Sequence, residues 1–263
     1  MIPKIAVVAT GGTIQNSPDG RVPIADVWDH IGGYARDPRP TVTLDIHDIL
    51  RAGSETFGAA EWQRLAQTVQ QRADDRETDG VVVTHGTFTA EESAYFLNLA
   101  IDTDKPVAVV VSQRKHGTAG NDGDRNLIDA IRVASSPDAG EIGVVLVANE
   151  EIHGAREVTK ENQRPGAFVS TPVGPLGTVE LDRVSIYRAP TRRHTTRSAL
   201  ARVDLANLPR VDIVAGYAGA DGSGVSAAVA AGARAIVLAG FAYSGRGSDP
   251  QMEALEEAAR SGT

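Results

Sequence analysis

Short apolar runs without polar alternation recur along the chain, each followed by a polar turn and then by apolar residues at helical spacing. The clearest case spans Gly80 to Leu99. Val81 to Val83 form a β-branched run of the kind that is covered on both faces in a parallel sheet. Thr84 to Phe88 read as a turn, with Gly86 free to take a positive φ. Thr89 reads as an N-cap with Glu92 three residues on, a capping box, and Ala94, Phe96 and Leu97 continue at helical spacing. In an open parallel sheet such a turn lies at the carboxyl end of a strand beside a helix N-terminus, where ligands bind. A second copy opens the chain: Lys4 to Ala9 is a buried strand that runs into Thr10-Gly-Gly-Thr13, a turn exposing a hydroxyl.

The same alternation continues. Thr41 to Ile46 reads as a strand, 59–73 as a helix, 106–112 and 143–149 as buried strands, and 121–135 as a helix with Asp122 and Asp124 near its positive end. Gln15 to Pro23, rich in turn residues, is a candidate mobile lid. From 170 to 196 the texture changes to Pro, Gly and Arg, with one hairpin expected over 179–187. Beyond it, 211–216, 225–232, 235–240 and 250–261 repeat β, α, β, α. The expectation is a doubly wound α/β domain with a mostly parallel sheet over 1–188, a linker over 189–208 and a smaller α/β domain over 209–263. Another strand is expected after Ser261, so that smaller domain is expected to be incomplete at 263.

Composition narrows the chemistry. The 263 residues carry a formal charge of −8, which argues against nucleic acid or an anionic membrane as partner. There is no cysteine, hence no thiolate catalysis and no zinc–cysteine site. The six histidines lack metal-ligand spacing. No signal peptide is apparent in the first ten residues and no segment reaches transmembrane length, so a cytoplasmic enzyme is expected.

Thr13 and Thr87, each on a glycine-flanked turn, are the candidate alcohols for nucleophilic chemistry, and Lys160 is the candidate base. Taken alone, either threonine reads as a helix cap and Lys160 as a solvated surface charge. A phosphate cradle at Gly11-Gly12 lacks any accompanying G-x-G-x-x-G or G-K-[ST] pattern. His85 reads as a structural hydrogen-bonder behind its turn.

Three segments carry a resemblance: Ala-Thr-Gly-Gly-Thr-Ile (9–14), Thr-His-Gly-Thr-x-Thr-x-Glu-Glu (84–92) and Gly-Ala-Arg-Glu-Val-Thr-Lys (154–160). They resemble the signature segments of bacterial-type L-asparaginases and glutaminase-asparaginases. The similarity continues through 52–55, 121–127, 173–177 and 188–195, over essentially the whole chain. The resemblance implies an amidohydrolase without metal or organic cofactor, assembled as a homotetramer of tight dimers. Thr13 would form the acyl intermediate, Thr87 would activate water and Lys160 would partner it. Ser54 and Glu55 would hold the substrate's α-substituents, Ser112 would lie near the carboxamide, and Gly12 and Gly86 would line the site.

Three departures stand out. Phe88 occupies the place of a motif aspartate that binds the substrate's α-ammonium and the lysine. The lid lacks the family tyrosine, with Arg21 near its place. An asparagine supplied by the neighbouring subunit falls at Gly219. An ammonium buried without its carboxylate costs several kcal/mol. The expected substrate is therefore an amide, lactam or cyclic imide without a free α-ammonium. The alternatives are a genuine L-asparaginase or a non-catalytic small-molecule binder on the same scaffold.

Overall fold

A computed structural model describes residues 1–262. Contacts divide the chain into two units, Met1–Val203 and a second beginning at Asp204.

In the first unit the chain runs β1 (Lys4–Gly11), a 3₁₀ turn at Thr13–Gln15, then the hairpin β2 (Asn16–Ser17) and β3 (Gly20–Arg21). Helix α1 (Ile24–Gly32), strand β4 (Thr43–Ala52), α2 (Ala59–Asp74), β5 (Gly80–Thr84), α3 (Ala90–Ala100), β6 (Val107–Val110), α4 (Gly123–Ala134) and β7 (Val144–Ala148) follow. The unit ends with β8 (Glu151–Gly154), β9 (Thr159–Lys160), β10 (Phe168–Val169), β11 (Gly177–Glu180) and β12 (Arg183–Ile186). One eight-stranded sheet has the order β12-β11-β8-β7-β6-β5-β1-β4. Its five strands from β4 to β7 are mutually parallel, and β8, β11 and β12 extend it antiparallel. This is the mostly parallel α/β sheet that the buried runs imply: every residue of β5, β6 and β7 is buried, because helices cover both faces. Ile5, Val7, Val82, Val110, Ile131, Val145 and Leu176 share one continuous core.

Topology selects the site. From β1 the chain crosses to β4 on one side and then returns to β5 on the other side of β1. The sheet therefore reverses direction between β1 and β5, whose carboxyl ends are level, Ala9 opposite Thr84. A crevice outside the strand ends is expected at such a switch point.

Several local expectations change. The turn after β1 leads into a 3₁₀ turn and a hairpin, so the two threonine turns are not twins. Thr89 does occupy the N-cap of α3, but its side chain makes no capping bond, because Ser54 competes for it. Gly86 is not among the positive-φ residues; it is confined by packing against Ser54. Residues 189–203, read as the start of a linker, lie on the first unit, where Arg202 pairs with Asp74 and Asp102.

The second unit pairs β13 (Val211–Ala215) and β14 (Ala235–Ala239) in parallel, with α5 (Ser223–Ala230) and α6 (Asp249–Ser261). Ser248 and Gln251 form a capping box at the start of α6, and Gln251 Nε2 reaches the Ala215 carbonyl at 2.9 Å.

Candidate active site

Three turns stack at the switch point. Thr10 Oγ1 donates to the Thr84 carbonyl at 2.8 Å, tying the end of β1 to the end of β5. The next turn carries Gly12 (φ 83°), where a β-carbon would stand 2.6 Å from both Gly86 N and the His85 carbonyl oxygen. Only glycine permits that approach. On the other side of Gly86, a β-carbon would stand 2.7 Å from Ser54 Oγ. Ser54 accepts from Thr89 N at 3.3 Å, and its carbonyl accepts from Thr89 Oγ1 at 2.9 Å. Thus the Gly12–Thr13, Gly86–Phe88 and Gly53–Glu55 turns lie against one another.

Gln15, which sequence reasoning passed over as part of a lid, holds the first turn from within. Fully buried, it accepts from Gly11 N at 3.0 Å and Thr84 Oγ1 at 3.1 Å, and its amide donates to the Val22 carbonyl at 3.3 Å. The hairpin beyond it is also pinned, since His116 N donates to the Asn16 carbonyl at 2.8 Å. Behind that contact, Asp124 accepts from Tyr34 Oη at 2.5 Å and Asn121 Nδ2 at 2.6 Å, with His116 Nδ1 3.3 Å away. Burial and this carboxylate push the Tyr34 phenol up to about 12, the hydrogen bond to Asp124 being the larger cause. The signal for that cluster was the Asn121-Asp-Gly-Asp124 run, but nothing in it pointed to Tyr34.

Lys160 arrives from β9, held beside β10 by pairing with Phe168. Its main-chain N–H donates to Glu91 Oε2 at 2.7 Å, and its Nζ donates to Thr87 Oγ1 at 2.8 Å. Nζ also lies 5.1 Å from the centroid of the Phe88 ring, a cation–π distance. Burial pushes the Lys160 amine below its ordinary range, and the Glu91 carboxylate opposes that. A lysine so placed loses its proton nearer neutrality, as a base requires.

The remaining expected residues fall as follows. Thr13 is half-buried, and its hydroxyl has no hydrogen-bond partner among the described residues. Thr87 is buried, while Phe88 is 63% exposed. Ser112 is fully buried beyond the end of β6; its hydroxyl bonds the Arg114 carbonyl and lies 3.1 Å from Asp122 Oδ1. A β-carbon on Gly123 would meet both Ser112 and Ile14 at 3.1 Å, so Ser112 stands close to the residue after Thr13. Glu55 is exposed and curls over Gly53. Arg21 is exposed on β3, donates to Asn16 Oδ1 at 3.2 Å and reaches back over Gly11. His85 is buried, its Nδ1 at 2.8 Å from the Gly86 carbonyl, and burial pushes it down to about 4, so it is neutral and structural. Among the described residues no group of His, Asp and Glu could hold a metal ion, and no helix is long and apolar enough to cross a membrane.

Residues 4–192 match the family described as Asparaginase, N-terminal. A glutaminase-asparaginase of Pseudomonas fluorescens biotype A is 36% identical, across 98% of this chain and 73% of the relative. L-asparaginase 2 of Bacillus subtilis (strain 168) is also 36% identical, across 94% of this chain and 67% of the relative. Among solved structures, a probable cytoplasmic L-asparaginase from Campylobacter jejuni superposes with a TM-score of 0.91 at 31% identity, covering 99% of this chain and 81% of that one. A hydroxyl–lysine pair at the switch point of this fold, in such company, defines an amidohydrolase. The chain belongs to the asparaginase family.

Proposed function

We propose that the protein hydrolyses the C–N bond of a carboxamide, lactam or cyclic imide that lacks a free α-ammonium, through an acyl-enzyme on Thr13. The carrying observation is the 2.8 Å contact between Lys160 Nζ and Thr87 Oγ1, with an aromatic ring rather than a carboxylate beside the amine. The close approach of Gly12 to Gly86 supports bringing Thr13 to the same substrate.

The steps balance as follows. Thr13 Oγ1 attacks the amide carbon and its proton passes through Thr87 to neutral Lys160. The tetrahedral adduct collapses, the C–N bond breaks, and the nitrogen leaves with the proton returned from Lys160. Water then attacks the ester, giving up a proton to the Thr87–Lys160 pair, and Thr13 leaves as the alcohol. Ser54, Glu55, Ser112, Gly12, Gly86 and Arg21 form the surrounding binding surface. The direct bond from Lys160 to Thr87 favours a second reading, in which Thr87 is the attacking alcohol and Thr13 assists.

Phe88 carries the substrate assignment. An α-ammonium facing this ring gains a cation–π contact of about 0.5–2 kcal/mol instead of a charge-paired carboxylate, and Glu55 alone remains to receive it. Substrates with an apolar group at that position pack on the ring instead. A homotetramer in the cytoplasm completes the proposal, with the lid expected over residues 15–23 confined to their exposed tip at 18–21, since Gln15 and Asn16 are bonded down.

Ammonia release tests the reaction with L-asparagine, L-glutamine and succinamate, and the amine freed by ring opening tests it with a simple lactam. Thr13→Ala, Thr87→Ala and Lys160→Met are each expected to lower kcat at least ~1,000-fold, a loss in line with removal of a covalent or general-base group. Undiminished turnover in any of the three refutes the role given to that residue. Turnover of L-asparagine at a higher kcat/KM than succinamate by the unaltered protein instead favours a genuine L-asparaginase. Absence of turnover with tight binding favours a binder.

A further inference from the structure

Glu91 has no part in the steps above, yet it is the residue that fixes where Lys160 sits. Its Oε2 accepts the Lys160 main-chain N–H at 2.7 Å, bridging α3 and β9 across 69 positions of sequence. A main-chain anchor matters here because the lysine stem has four rotatable bonds, and only a fixed starting point makes a 2.8 Å contact to Thr87 reproducible. Strand β10 brings Phe168 and Val169, and the β5 turn brings Thr87 and Phe88, all uncharged. Among the described residues the electrostatic pull on Lys160 comes from Glu91.

We propose that Glu91 is the positioning residue of this site, anchoring the Lys160 main chain and so placing a carboxylate charge beside the lysine. This deepens the reading of Lys160 as the base. The residue next to Thr87, Phe88, offers the amine only a ring face, so the nearby negative charge comes from one turn further along. The consequence is a division of labour in which the carboxylate tunes the lysine without presenting a charge at the Phe88 position.

The test reads Lys160 itself and needs no substrate. The chain has four lysines, Lys4, Lys105, Lys115 and Lys160, so the other three serve as references. Competitive acetylation with acetic anhydride across pH, followed by peptide mass spectrometry, gives the midpoint at which each amine becomes reactive. Glu91→Gln keeps an oxygen to accept the N–H and removes the charge, and the Lys160 midpoint is expected to fall by roughly half to one pH unit. Glu91→Asp keeps the charge but shortens the reach, and is expected to leave the midpoint nearer that of the unaltered protein while kcat drops about tenfold with KM little changed. An unmoved midpoint in Glu91→Gln, or an equal fall in both variants, overturns the proposal. Should Glu91→Gln not fold, the midpoint in the unaltered protein is measured in 1 M KCl, which screens the pair. A fall supports the coupling and no change refutes it. If instead the midpoint moves as expected but Lys160→Met remains active, the coupling stands and the reading of Lys160 as base fails.

Discussion

Replacing Phe88 with aspartate separates the two jobs that a carboxylate would do at this position. The ring centroid lies 5.1 Å from Lys160 Nζ, so an aspartate there brings a negative charge to about that distance. At about 5 Å, Coulomb's law gives about 3 kcal/mol with an effective dielectric constant of ~20 and about 1 kcal/mol in water. Phe88 is 63% exposed, so the lower half of that range applies, or about one pKa unit on the lysine. The sign follows directly: an added anion favours the ammonium, the neutral base becomes scarcer, and the acidic limb of the rate profile moves up. That change affects every substrate equally. The second job is selective, because only a substrate with an α-ammonium pairs with the new carboxylate. Comparing L-asparagine with succinamate, the same molecule without its amine, cancels the lysine effect. In Phe88→Asp the ratio of kcat/KM for asparagine over succinamate is expected to rise about tenfold or more, corresponding to ~1.4 kcal/mol or more. Ammonia release at several pH values supplies both readouts. A ratio that stays within about twofold of the unaltered protein's refutes the claim that Phe88 decides the substrate class.

Gly12→Ala adds a β-carbon 2.6 Å from main-chain atoms of the neighbouring turn, at a positive φ, and neither turn has room to move. A stability loss of about 2–4 kcal/mol and near-complete loss of activity are expected, measured by urea unfolding and ammonia release. Acid should also destabilise the protein. Burial pushes His85 and His153 down to about 4 from 6.5, so their contribution is full above 6.5 and is lost as pH falls towards 4, about 3 kcal/mol each. Asp129 opposes them, because burial raises its carboxyl to about 6 despite Arg125 and Arg132, and it contributes stability as pH falls from 6 towards 3.8. The net expectation is a loss of about 3 kcal/mol between pH 7 and pH 4 in urea melts, and a flat profile contradicts it.

The parallel strands were legible because burial on both faces leaves a distinctive pattern: an unbroken apolar run of Val, Ile, Leu and Ala within β1, β5, β6 and β7. Strand β4 was read only as far as Ile46, although it continues through His47, Asp48 and Arg51 to Ala52. As the edge of the sheet it keeps a wet side, and its polar second half looks like a loop. Thr89 shows the opposite failure. Its local pattern satisfied the rule for a capping box, but Ser54, thirty-five positions earlier, takes its hydroxyl. Local rules cannot see such a competitor.

The site divides in the same way. Thr13 and Thr87 stood out through their glycines, since close approach of two backbones demands them. Lys160 was a candidate base on its chemistry, but alone it read as a surface charge until likeness to a family singled it out, because nothing in a lysine on a loop announces a hydroxyl partner 73 residues away. Gln15 and Glu91 were missed altogether. A buried glutamine amide bridging three groups and a glutamate on a helix face look, in sequence, like ordinary polar positions. Their roles emerge from which main-chain groups the fold leaves in need of a partner.

The central claim is that hydrolysis passes through an acyl group carried by Thr13. Mass spectrometry of protein quenched during succinamate turnover tests it most directly. The expected result is a succinyl adduct on the peptide containing Thr13, absent in Thr13→Ala. An adduct confined to Thr87, or turnover that persists in Thr13→Ala, would contradict it.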